Sequence, residues 1–371
     1  TSGQVGDEQL DAEMARRFIG GYGLGARLLY DRVPPGAAPL GPDNMLGFVT
    51  GPLTATPTPL GSRYCAVAKS PLTGGWGDAN SGGDWGPLLK LAGYDAVFFR
   101  GISPEPVYLL ILEGHAELLP AGELWGRDCT ETEEILRARH GKGVRVASIG
   151  PAGERQVRFA CIINERGRAA GRSGLGAVMG SKRLKAIVVG GSQRPVLARP
   201  DEVQALRAKY LPLFKHEGTQ LMHRYGTTAW NQALISIGRT PLKNWGGSYP
   251  ADYPQAEAVD GPAVAEFEVK KYACWHCTLG CGAIVRWPSG GQTQEGHRPE
   301  YESFASLGAY CQIDDLQAIL EMNELCNRAG LDTISAGAVL SFAIECAENG
   351  LLSPSELGGL EQLRALGLRG N

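Results

Sequence analysis

The chain has 371 residues, 43% of them hydrophobic, and a formal net charge of −3. This length predicts two domains rather than one small core. The small negative charge argues against a nucleic-acid or anionic-membrane partner, and no apolar run approaches the ~18 residues of a membrane span. No signal peptide is visible, and nine cysteines, an odd number, suit a reducing compartment better than a disulfide framework. We therefore expect a cytoplasmic protein without nucleic-acid or membrane partners.

The first two hundred residues are rich in glycine and predict a β-rich domain. Short β-type runs occupy residues 45–50, 64–68, 96–99, 107–112, 145–149, 159–163 and 186–189. Ahead of them, the glycines in residues 20–25 resemble a dinucleotide fingerprint only superficially. A helical pattern at residues 11–18 precedes them, where that fingerprint requires a strand. We therefore expect no Rossmann domain.

The β-rich region contains an internal repeat. Residues 49–101 and 148–191 share landmarks in the same order and at similar spacing: a strand ending in Gly-Pro, an arginine-bearing strand, a Ser-Gly step, and a Leu-Lys pair that leads into a final strand. Such agreement predicts two copies of one unit and a pseudo-two-fold domain. Since each half then presents an equivalent surface, the expected ligand is itself doubled.

Each copy also has a loop of small residues, at 77–83 and at 167–174. Glycines in such loops let the main chain approach a ligand closely and direct N–H or C=O groups at it. Four nearby arginines have the charge to bind phosphate oxygens, namely Arg63, Arg158, Arg168 and Arg172. A single loop of this kind is more typical of a tight turn with solvated arginines. The presence of two related loops favours a ligand site.

From about Pro200 the pattern becomes helical. Helices are predicted from Pro200 to about residue 213, over 314–326 with a stop at Gly330, and over 333–348, and Ser353-Pro354 predicts the start of another. Cys326 and Cys346 lie among apolar residues at helical spacing, so we expect them to pack in the core. The fold class is therefore α+β. We expect a duplicated β-rich domain at 1–195 and a mostly helical domain at 196–371.

Three clustered cysteines are the strongest chemical signal in the chain. Cys274, Cys277 and Cys281 form a C-x-x-C-x-x-x-C motif, with glycines at 280 and 282 that leave the backbone free to wrap a metal centre. The spacing favours three of the four ligands of an iron–sulfur cluster. Two alternatives remain open: half of a structural zinc site that includes His276 or His297, or three reduced cysteines without a metal.

Two carboxylates flank a tyrosine shortly after this motif, at Glu300 and Glu302. Paired acids are most often a solvated surface. Their place just after the metal-binding segment makes one of them a candidate acid or base.

Taken together, these stretches resemble the aldehyde ferredoxin oxidoreductase family of tungsten-pterin enzymes, in order and along the whole chain. The resemblance rests on residues 18–25, 50–54, 69–74, 80–83, 148–154 and 168–172, on the motif Cys274-x-x-Cys277-x-x-x-Cys281, and on residues 299–303 and 330–335.

The resemblance implies an N-terminal domain of two pseudo-symmetric β-sheets that holds two pterins, followed by two mostly helical domains. It implies that Arg63 bridges pterin and cluster, and that Asn80 and the backbone carbonyl of Ala169 hold a magnesium ion between the pterin phosphates. It further implies that Cys274, Cys277 and Cys281 bind a [4Fe-4S] cluster and that Glu302 lies near the tungsten. The other implied cofactor-binding residues are Ser81, Gly82, Arg168, Gly171, Arg172, Asn327, Gly330, Leu331 and Asp332.

The chain departs from the family's patterns at two places. Asn327 stands where the pterin-binding D-x-x-G-L-D motif often has aspartate, although an amide still hydrogen-bonds a pterin edge. Residues 321–324 read Glu-Met-Asn-Glu rather than the E-x-x-H of some relatives, which argues against an iron held between subunits. A homodimer remains one expected assembly.

The function implied by the resemblance is oxidation of an aldehyde to its carboxylate at a tungsten or molybdenum bis-pterin. The electrons would leave through the cluster to ferredoxin or to an electron-transfer subunit. Three alternatives stay open: a carboxylate or acyl-CoA reductase of the same family, a metal-free remnant that serves in binding or assembly, and a zinc-stabilised binding protein. The chain begins at Thr1 without methionine and stops at Asn371 early in a helical pattern. We therefore expect a fragment, and the resemblance implies a fourth cluster cysteine and an active-site histidine in a third domain.

Overall fold

The computed structural model of the chain describes residues 3–353. These divide into two compact units. Unit 1 comprises the residues up to 213 together with 273–278 and 327–332, and unit 2 comprises 214–272, 279–326 and the residues from 333 onward. The predicted domain boundary at 195/196 stays a prediction, and the helix expected to begin at Pro354 lies outside the described residues.

The first half of unit 1 contains one small antiparallel sheet. Its elements are α1 (Ala12–Phe18), α2 (Gly21–Arg32), β1 (Leu46–Thr50), β2 (Tyr64–Lys69), β3 (Trp76–Ser81), α3 (Trp85–Leu91) and β4 (Ala96–Phe99). The strands lie in the order β3-β2-β1-β4, and every neighbouring pair is antiparallel. β1 is buried along its whole length, as its apolar sequence requires.

The second half contains a six-stranded sheet in the order β6-β5-β10-β7-β8-β9. Its elements are β5 (Val107–Leu112), β6 (His115–Pro120), α4 (Cys129–His140), β7 (Arg145–Ser148), α5 (Pro151–Glu154), β8 (Ile162–Asn164), β9 (Arg168–Ala170), α6 (Leu175–Ser181) and β10 (Leu184–Gly190), and α7 (Pro200–Tyr210) follows. β10 and β5 are parallel, whereas the other pairs are antiparallel.

The strand order contains the predicted duplication. We call β1–β4 with α3 copy 1 and β7–β10 with α6 copy 2. Copy 1 has the order β3-β2-β1-β4, and copy 2 has the corresponding order β9-β8-β7-β10 with the same antiparallel pairing. Both copies contribute to one apolar core, in which Phe48 and Trp85 of copy 1 pack with Ile162, Val178 and Ile187 of copy 2. The predicted duplicated β-rich architecture is therefore confirmed.

Unit 2 is mostly helical. Its elements are α8 (Glu217–Tyr225), α9 (Asn231–Ser236), α10 (Gly261–Ala265), β11 (Glu268–Tyr272), β12 (Gly282–Ser289), β13 (Gln292–His297), α11 (Tyr301–Ser303), a π-helix (Phe304–Gly308), α12 (Leu316–Ala329), of which residues 327–329 belong to unit 1, and α13 (Thr333–Glu348). Its core centres on Val264, Phe304, Leu307 and Ile319. Cys326 is buried, as predicted, but Cys346 is only partly buried.

The antiparallel sheet β11-β12-β13 was not predicted from the sequence. Its two outer strands, with the sequences Glu-Val-Lys-Lys-Tyr and Gln-Thr-Gln-Glu-Gly-His, are largely exposed and polar, so they lack the apolar alternation that marks a half-buried strand. None of the helices within residues 3–353 is both long enough and apolar enough to cross a membrane.

Candidate cofactor site

The two copies meet along their outer strands, β3 and β9. The Ser173 hydroxyl donates to the Asp78 carbonyl at 2.9 Å and accepts from the Asp78 N–H at 3.2 Å, which joins the segment after β9 to β3. The segments 77–83 and 167–174, which the sequence predicted as loops, contain most of β3 and all of β9 and therefore lie on either side of this junction. A ligand bound here faces both copies.

A buried amide, Asn164, holds this junction together. Its Oδ1 accepts from the Tyr64 hydroxyl at 3.1 Å and from Ser81 Oγ at 2.7 Å, and its Nδ2 donates to the Gly82 carbonyl at 3.1 Å. Asn164 is 1% exposed, so these bonds from β8 to copy 1 replace water for a polar group that burial would otherwise penalise. Asn164 was not predicted from the sequence, in which the polar amide after two isoleucines is its one distinguishing feature.

Strand register brings Asn80 and Ala169 to equivalent positions. Val49 and Ser148 each lie two residues before a Gly-Pro pair. Val49 pairs with Cys65, which pairs with Asn80. Ser148 pairs with Ile163, which pairs with Ala169. The two residues expected to bind one magnesium ion thus occupy the same place in the two copies.

Asn80 belongs to a polar cluster on copy 1. Arg63 donates from Nη1 to Asn80 Oδ1, and Asn80 donates from Nδ2 to the Tyr22 hydroxyl. Burial raises the pKa of Tyr22, although the bond from Asn80 opposes this, so the phenol stays protonated at neutral pH. Burial also raises the pKa of the neighbouring Cys65 thiol to about 11. Arg63 is exposed and available to an anion, whereas the role of Tyr22 in orienting Asn80 was not predicted.

Gly82 lies where Arg168 and the cysteine loop come together. A Cβ at Gly82 would lie 2.9 Å from Cys274 Sγ and 3.3 Å from Arg168 Nη1, so glycine is needed for this approach. Ser81 is buried and its hydroxyl is bonded to Asn164. Its side chain therefore supports the loop from within, and only the Ser81 backbone remains for a ligand.

The segment Asn327–Asp332 pairs with copy 2. The Cys161 N–H donates to the Gly330 carbonyl at 2.8 Å, the Asp332 N–H donates to the Phe159 carbonyl at 3.1 Å, and Leu331 forms a bridge with Ala160. Gly330 has φ +73°, a conformation that favours glycine. This pairing places the predicted pterin-binding residues beside copy 2.

At the end of β9, Asp332 forms an ion pair with Arg172 at 3.2 Å. Asp332 is nearly buried and Arg172 is exposed. Gly171 lies beside them, since a Cβ there would be 3.9 Å from Asp332 Oδ1. Asn327 itself is buried. Copy 2 thus presents an anchored, exposed guanidinium, as copy 1 does with Arg63.

The first two cysteines of the motif belong to unit 1. The Cys277 N–H donates to the Cys274 carbonyl at 3.0 Å, which closes a tight turn, and the Trp275 N–H donates to the Gly83 carbonyl at 3.3 Å. Trp275 stacks on His276 with ring centres 5.0 Å apart, and its buried indole N–H has no hydrogen-bond partner in the described part of the chain. The turn is thus fixed to the copy 1 loop.

The sulfur donors fit an iron–sulfur cluster in their chemistry. All nine cysteines are free of disulfides. Among residues 3–353, no three His, Cys, Asp or Glu side chains are grouped closely enough to hold a metal ion. His297, one of the alternative zinc ligands, is buried with its Nδ1 bonded to the Arg298 carbonyl at 2.8 Å. Thiolates are the usual ligands of iron–sulfur clusters, so the three cysteines suit a cluster by their chemistry, whereas His276 inside the motif leaves the zinc alternative open.

In unit 2, the segment that carries Glu302 is held by Thr227. The Tyr301 N–H donates to Thr227 Oγ1 at 2.8 Å, and the Thr227 hydroxyl donates to the Glu300 carboxylate. Glu302 is exposed and makes no hydrogen bond or ion pair within the described residues. A π-helix, a feature often found at functional sites, begins two residues later at Phe304. Glu300 is therefore a structural carboxylate and Glu302 an uncommitted one.

Two family models match the chain. The model of the N-terminal domain of aldehyde ferredoxin oxidoreductase matches residues 1–191, and the model of domains 2 and 3 of the same family matches residues 205–364.

Curated relatives agree with these matches. A tungsten-containing aldehyde ferredoxin oxidoreductase of Pyrococcus furiosus is 42% identical over 98% of the chain, and the chain covers 60% of that relative. The WOR-like subunit of an aliphatic sulfonate oxidoreductase of the same organism is 32% identical, with coverage of 96% of the chain and 60% of the relative.

A solved structure is also similar, the active site complex BamBC of benzoyl coenzyme A reductase in complex with 1,5-dienoyl-CoA. It is 31% identical, with a TM-score of 0.82, and the match covers 93% of the present chain and 54% of that one. The chain therefore spans a little over half the length of the proteins it matches.

Proposed function

Since the chain belongs to the aldehyde ferredoxin oxidoreductase family, we propose that it forms the cofactor-binding part of a tungsten-pterin enzyme. The proposed reaction is oxidation of an aldehyde to its carboxylate, with the electrons passed through a [4Fe-4S] cluster to ferredoxin or an electron-transfer subunit. The observation that carries the proposal is the equivalence of Asn80 and Ala169 in two copies of one sheet, beside a loop that reaches Cys274. Two equivalent surfaces suit a cofactor that contains two pterins.

In this proposal, the chain holds the pterins by charge and by main-chain groups. The exposed guanidinium of Arg63 serves copy 1 and that of Arg172 serves copy 2, because a planar guanidinium binds phosphate oxygens bidentately. Asn80 and the Ala169 carbonyl supply oxygen ligands, the type that magnesium prefers. Asn327 offers its amide to a pterin edge. When bound, the tungsten bis-pterin supplies two-electron oxidation and reduction, and the cluster supplies transfer of single electrons.

The proposed proton transfer belongs to Glu302. Conversion of an aldehyde and water into a carboxylate releases two electrons and three protons, so a base is needed at the reacting carbon. Glu302 is free to accept a proton from the water or from the hydrated aldehyde, whereas Glu300 is engaged by Thr227. Thr227 also fixes the start of α11 through the Tyr301 N–H, so both carboxylates are presented from an ordered turn.

A second candidate function is reduction of a carboxylate or an acyl-CoA. For the coenzyme A thioester, it is favoured by the likeness to the BamBC complex of benzoyl coenzyme A reductase, which is 31% identical and covers 93% of the chain. The direction is tested with the whole protein, purified without air. Oxidation of aldehydes with a viologen acceptor supports the first function, and reduction of acyl-CoA by a low-potential viologen without aldehyde oxidation supports the second.

Metal and pterin analysis of the whole protein tests the proposal directly. We expect tungsten or molybdenum with two pterins per metal, magnesium, and about four irons. The change Cys277→Ser removes one cluster thiolate and is expected to abolish the iron. Cys311→Ser is the matched control, since burial raises the pKa of that thiol to about 12 and the sequence motif does not include it. Zinc alone would establish the zinc-stabilised alternative, and no metal would establish the remnant.

Glu302→Gln tests the proton-transfer step. It should leave metals and pterins bound but lower kcat by about 10²-fold or more, the scale of a lost acid or base. Glu300→Gln should have a much smaller effect, because its partner Thr227 is also able to donate to an amide oxygen. Steady-state kinetics and metal analysis of both variants decide the matter. Full activity of Glu302→Gln, or equal behaviour of the two variants, would show that Glu302 has no such role.

A further inference from the structure

A buried arginine lies directly behind the third cysteine of the motif. The side chain of Arg298 is only 3% exposed. Its Nη2 donates to the Cys281 carbonyl, and its Nη1 donates to a carboxylate oxygen of Glu268. Glu268 also pairs with Lys271 at 2.7 Å. The family motifs that led to Cys281 gave no indication of this residue.

The contact between Arg298 and Cys281 is built closely into unit 2. The Arg298 N–H donates to the Ala283 carbonyl at 2.9 Å, which fixes the end of β13 against β12. Gly226 has φ +64°, and a Cβ there would lie 2.1 Å from Arg298 Nη2 and 3.0 Å from the Cys281 oxygen. Only glycine leaves room for the guanidinium to reach that carbonyl.

A second side chain holds the same loop. His223 Nδ1 lies 2.8 Å from the Leu279 carbonyl. The backbone on either side of Gly280, which has φ +55°, is thus fixed through the carbonyls of residues 279 and 281. The side chain of Cys281 therefore starts from a determined position, which a metal ligand requires.

We propose that Arg298 is a positioning residue for Cys281 and that its charge raises the reduction potential of the iron–sulfur cluster; this inference rests on the function proposed above. Reduction adds negative charge to the cluster. A positive charge in a poorly screened interior stabilises the reduced form relative to the oxidised one. Glu268 offsets part of the positive charge of Arg298. The reduction potential of the cluster therefore depends on the balance of these two charges.

The pair offers variants with opposite expected effects. Arg298→Met removes the positive charge and leaves Glu268, so the potential should fall. Glu268→Gln removes the counter-ion and leaves Arg298, so the potential should rise. The expected shift of the reduction potential is about 59 mV for a one-electron couple. It corresponds to a tenfold change in the ratio of reduced to oxidised cluster at fixed potential. Damage to the fold alone would not produce shifts of opposite sign.

The measurement is a redox titration of the cluster, followed by its electron paramagnetic resonance signal, in the whole protein purified without air. Arg286→Met is the matched control, because Arg286 is half exposed on β12 and pairs with Glu295 at 2.7 Å on the surface. It should leave the potential unchanged. Arg298→Lys keeps the charge and should retain a potential close to that of the parent protein.

The outcomes separate the inference from the proposed function. A parent protein without iron would overturn the proposed function and this inference with it. If the parent contains iron, equal potentials in all variants, or shifts of the same sign in Arg298→Met and Glu268→Gln, would overturn the inference alone. Loss of iron from Arg298→Met with full iron in Arg298→Lys would support the positioning role. In that case the effect of charge would be decided by whether the reduction potential rises in Glu268→Gln.

Discussion

The two copies of the sheet share a strand order but differ in what they present to a ligand. Copy 1 has strands β2 and β3 of six residues each, whereas β8 and β9 of copy 2 have three each. Copy 1 offers side chains from its strand edge, namely Arg63 and Asn80. At the equivalent place copy 2 offers the main chain of Ala169 and, beyond it, Arg172.

The surroundings of the copies also differ. In copy 2, the backbone of residues 159–161 pairs with the segment Asn327–Asp332. In copy 1, the loop before β2 is folded on itself, with the Ala55 N–H bonded to the Gly61 carbonyl at 3.2 Å. Duplication therefore preserved the backbone that supports the site and left the contacts free to diverge. Substitutions at equivalent positions in the two copies test this difference.

The largest effect is expected at the equivalent pair Asn80 and Ala169. Asn80→Ala removes an oxygen ligand and frees Arg63 and Tyr22 from their shared partner, so we expect magnesium and pterin to be lost from the purified protein. Ala169→Ser keeps the backbone carbonyl and should retain both. Metal analysis and mass spectrometry of the released pterin measure the outcome. The prediction is that copy 1 binds through the Asn80 side chain and copy 2 through its main chain. Full cofactor content in Asn80→Ala, or equal loss in both variants, would contradict this difference.

A smaller effect is expected at the Gly-Pro turns. A Cβ at Gly150 would lie 2.4 Å from the Ala329 carbonyl oxygen, so Gly150→Ala should push away the segment that contains Asp332. Overpacking of this kind costs about 1–3 kcal/mol of unfolding free energy. At Gly51, the nearest atom to such a Cβ is Thr54 Oγ1 at 3.7 Å, so Gly51→Ala should be nearly neutral. Urea unfolding of both variants compares them, and equal stabilities would contradict the difference in surroundings.

The sequence predicted those parts of the fold that leave a local mark. The repeat was recognisable because Gly-Pro steps follow β1 and β7 and Ser-Gly steps precede α3 and α6, and the strand order that the two copies share agrees with it. β3 and β9 were missed because Trp-Gly-Asp-Ala-Asn-Ser and Arg-Ala-Ala have few β-branched residues. Pairing with β2 and β8 makes them strands.

Among the site residues, the sequence singled out those with family motifs or clustered chemistry, such as Cys274 and Arg172. It did not reveal Asn164, Tyr22 or Arg298. Each of these acts through partners distant in sequence. Examples are the hydrogen bonds that Asn164 donates to Gly82 and Arg298 donates to Glu268. No local pattern encodes such a contact, because the same side chain in isolation is typical of an ordinary polar position.

An effect of similar size to that of Gly150→Ala concerns a lysine that only copy 2 has. Lys182 follows α6, at the place where Ala92 follows α3. It is buried, and its Nζ donates to the Asn44 carbonyl at 2.5 Å and to the Gly101 carbonyl at 3.3 Å, which ties copy 2 to the two ends of copy 1. Lys182→Met leaves both carbonyls without this donor, and we expect a loss of about 1–3 kcal/mol of unfolding free energy. Lys90→Met, which breaks a pair with the half-exposed Asp95 and one bond to the Gly51 carbonyl, is the milder control.

The cost of Lys182→Met should also depend on pH. Burial, assisted by the nearby Arg100, lowers the pKa of Lys182 to about 8, below its ordinary value of 10.5. Between these two values the unfolded chain binds the proton and the folded chain does not, so the contribution of Lys182 to stability rises with pH across this window. The stability difference between the parent protein and Lys182→Met should therefore be larger at pH 9.5 than at pH 7.5. Urea unfolding at both values measures it, and a difference that shrank as the pH rose would show that the folded state holds this lysine in its charged form.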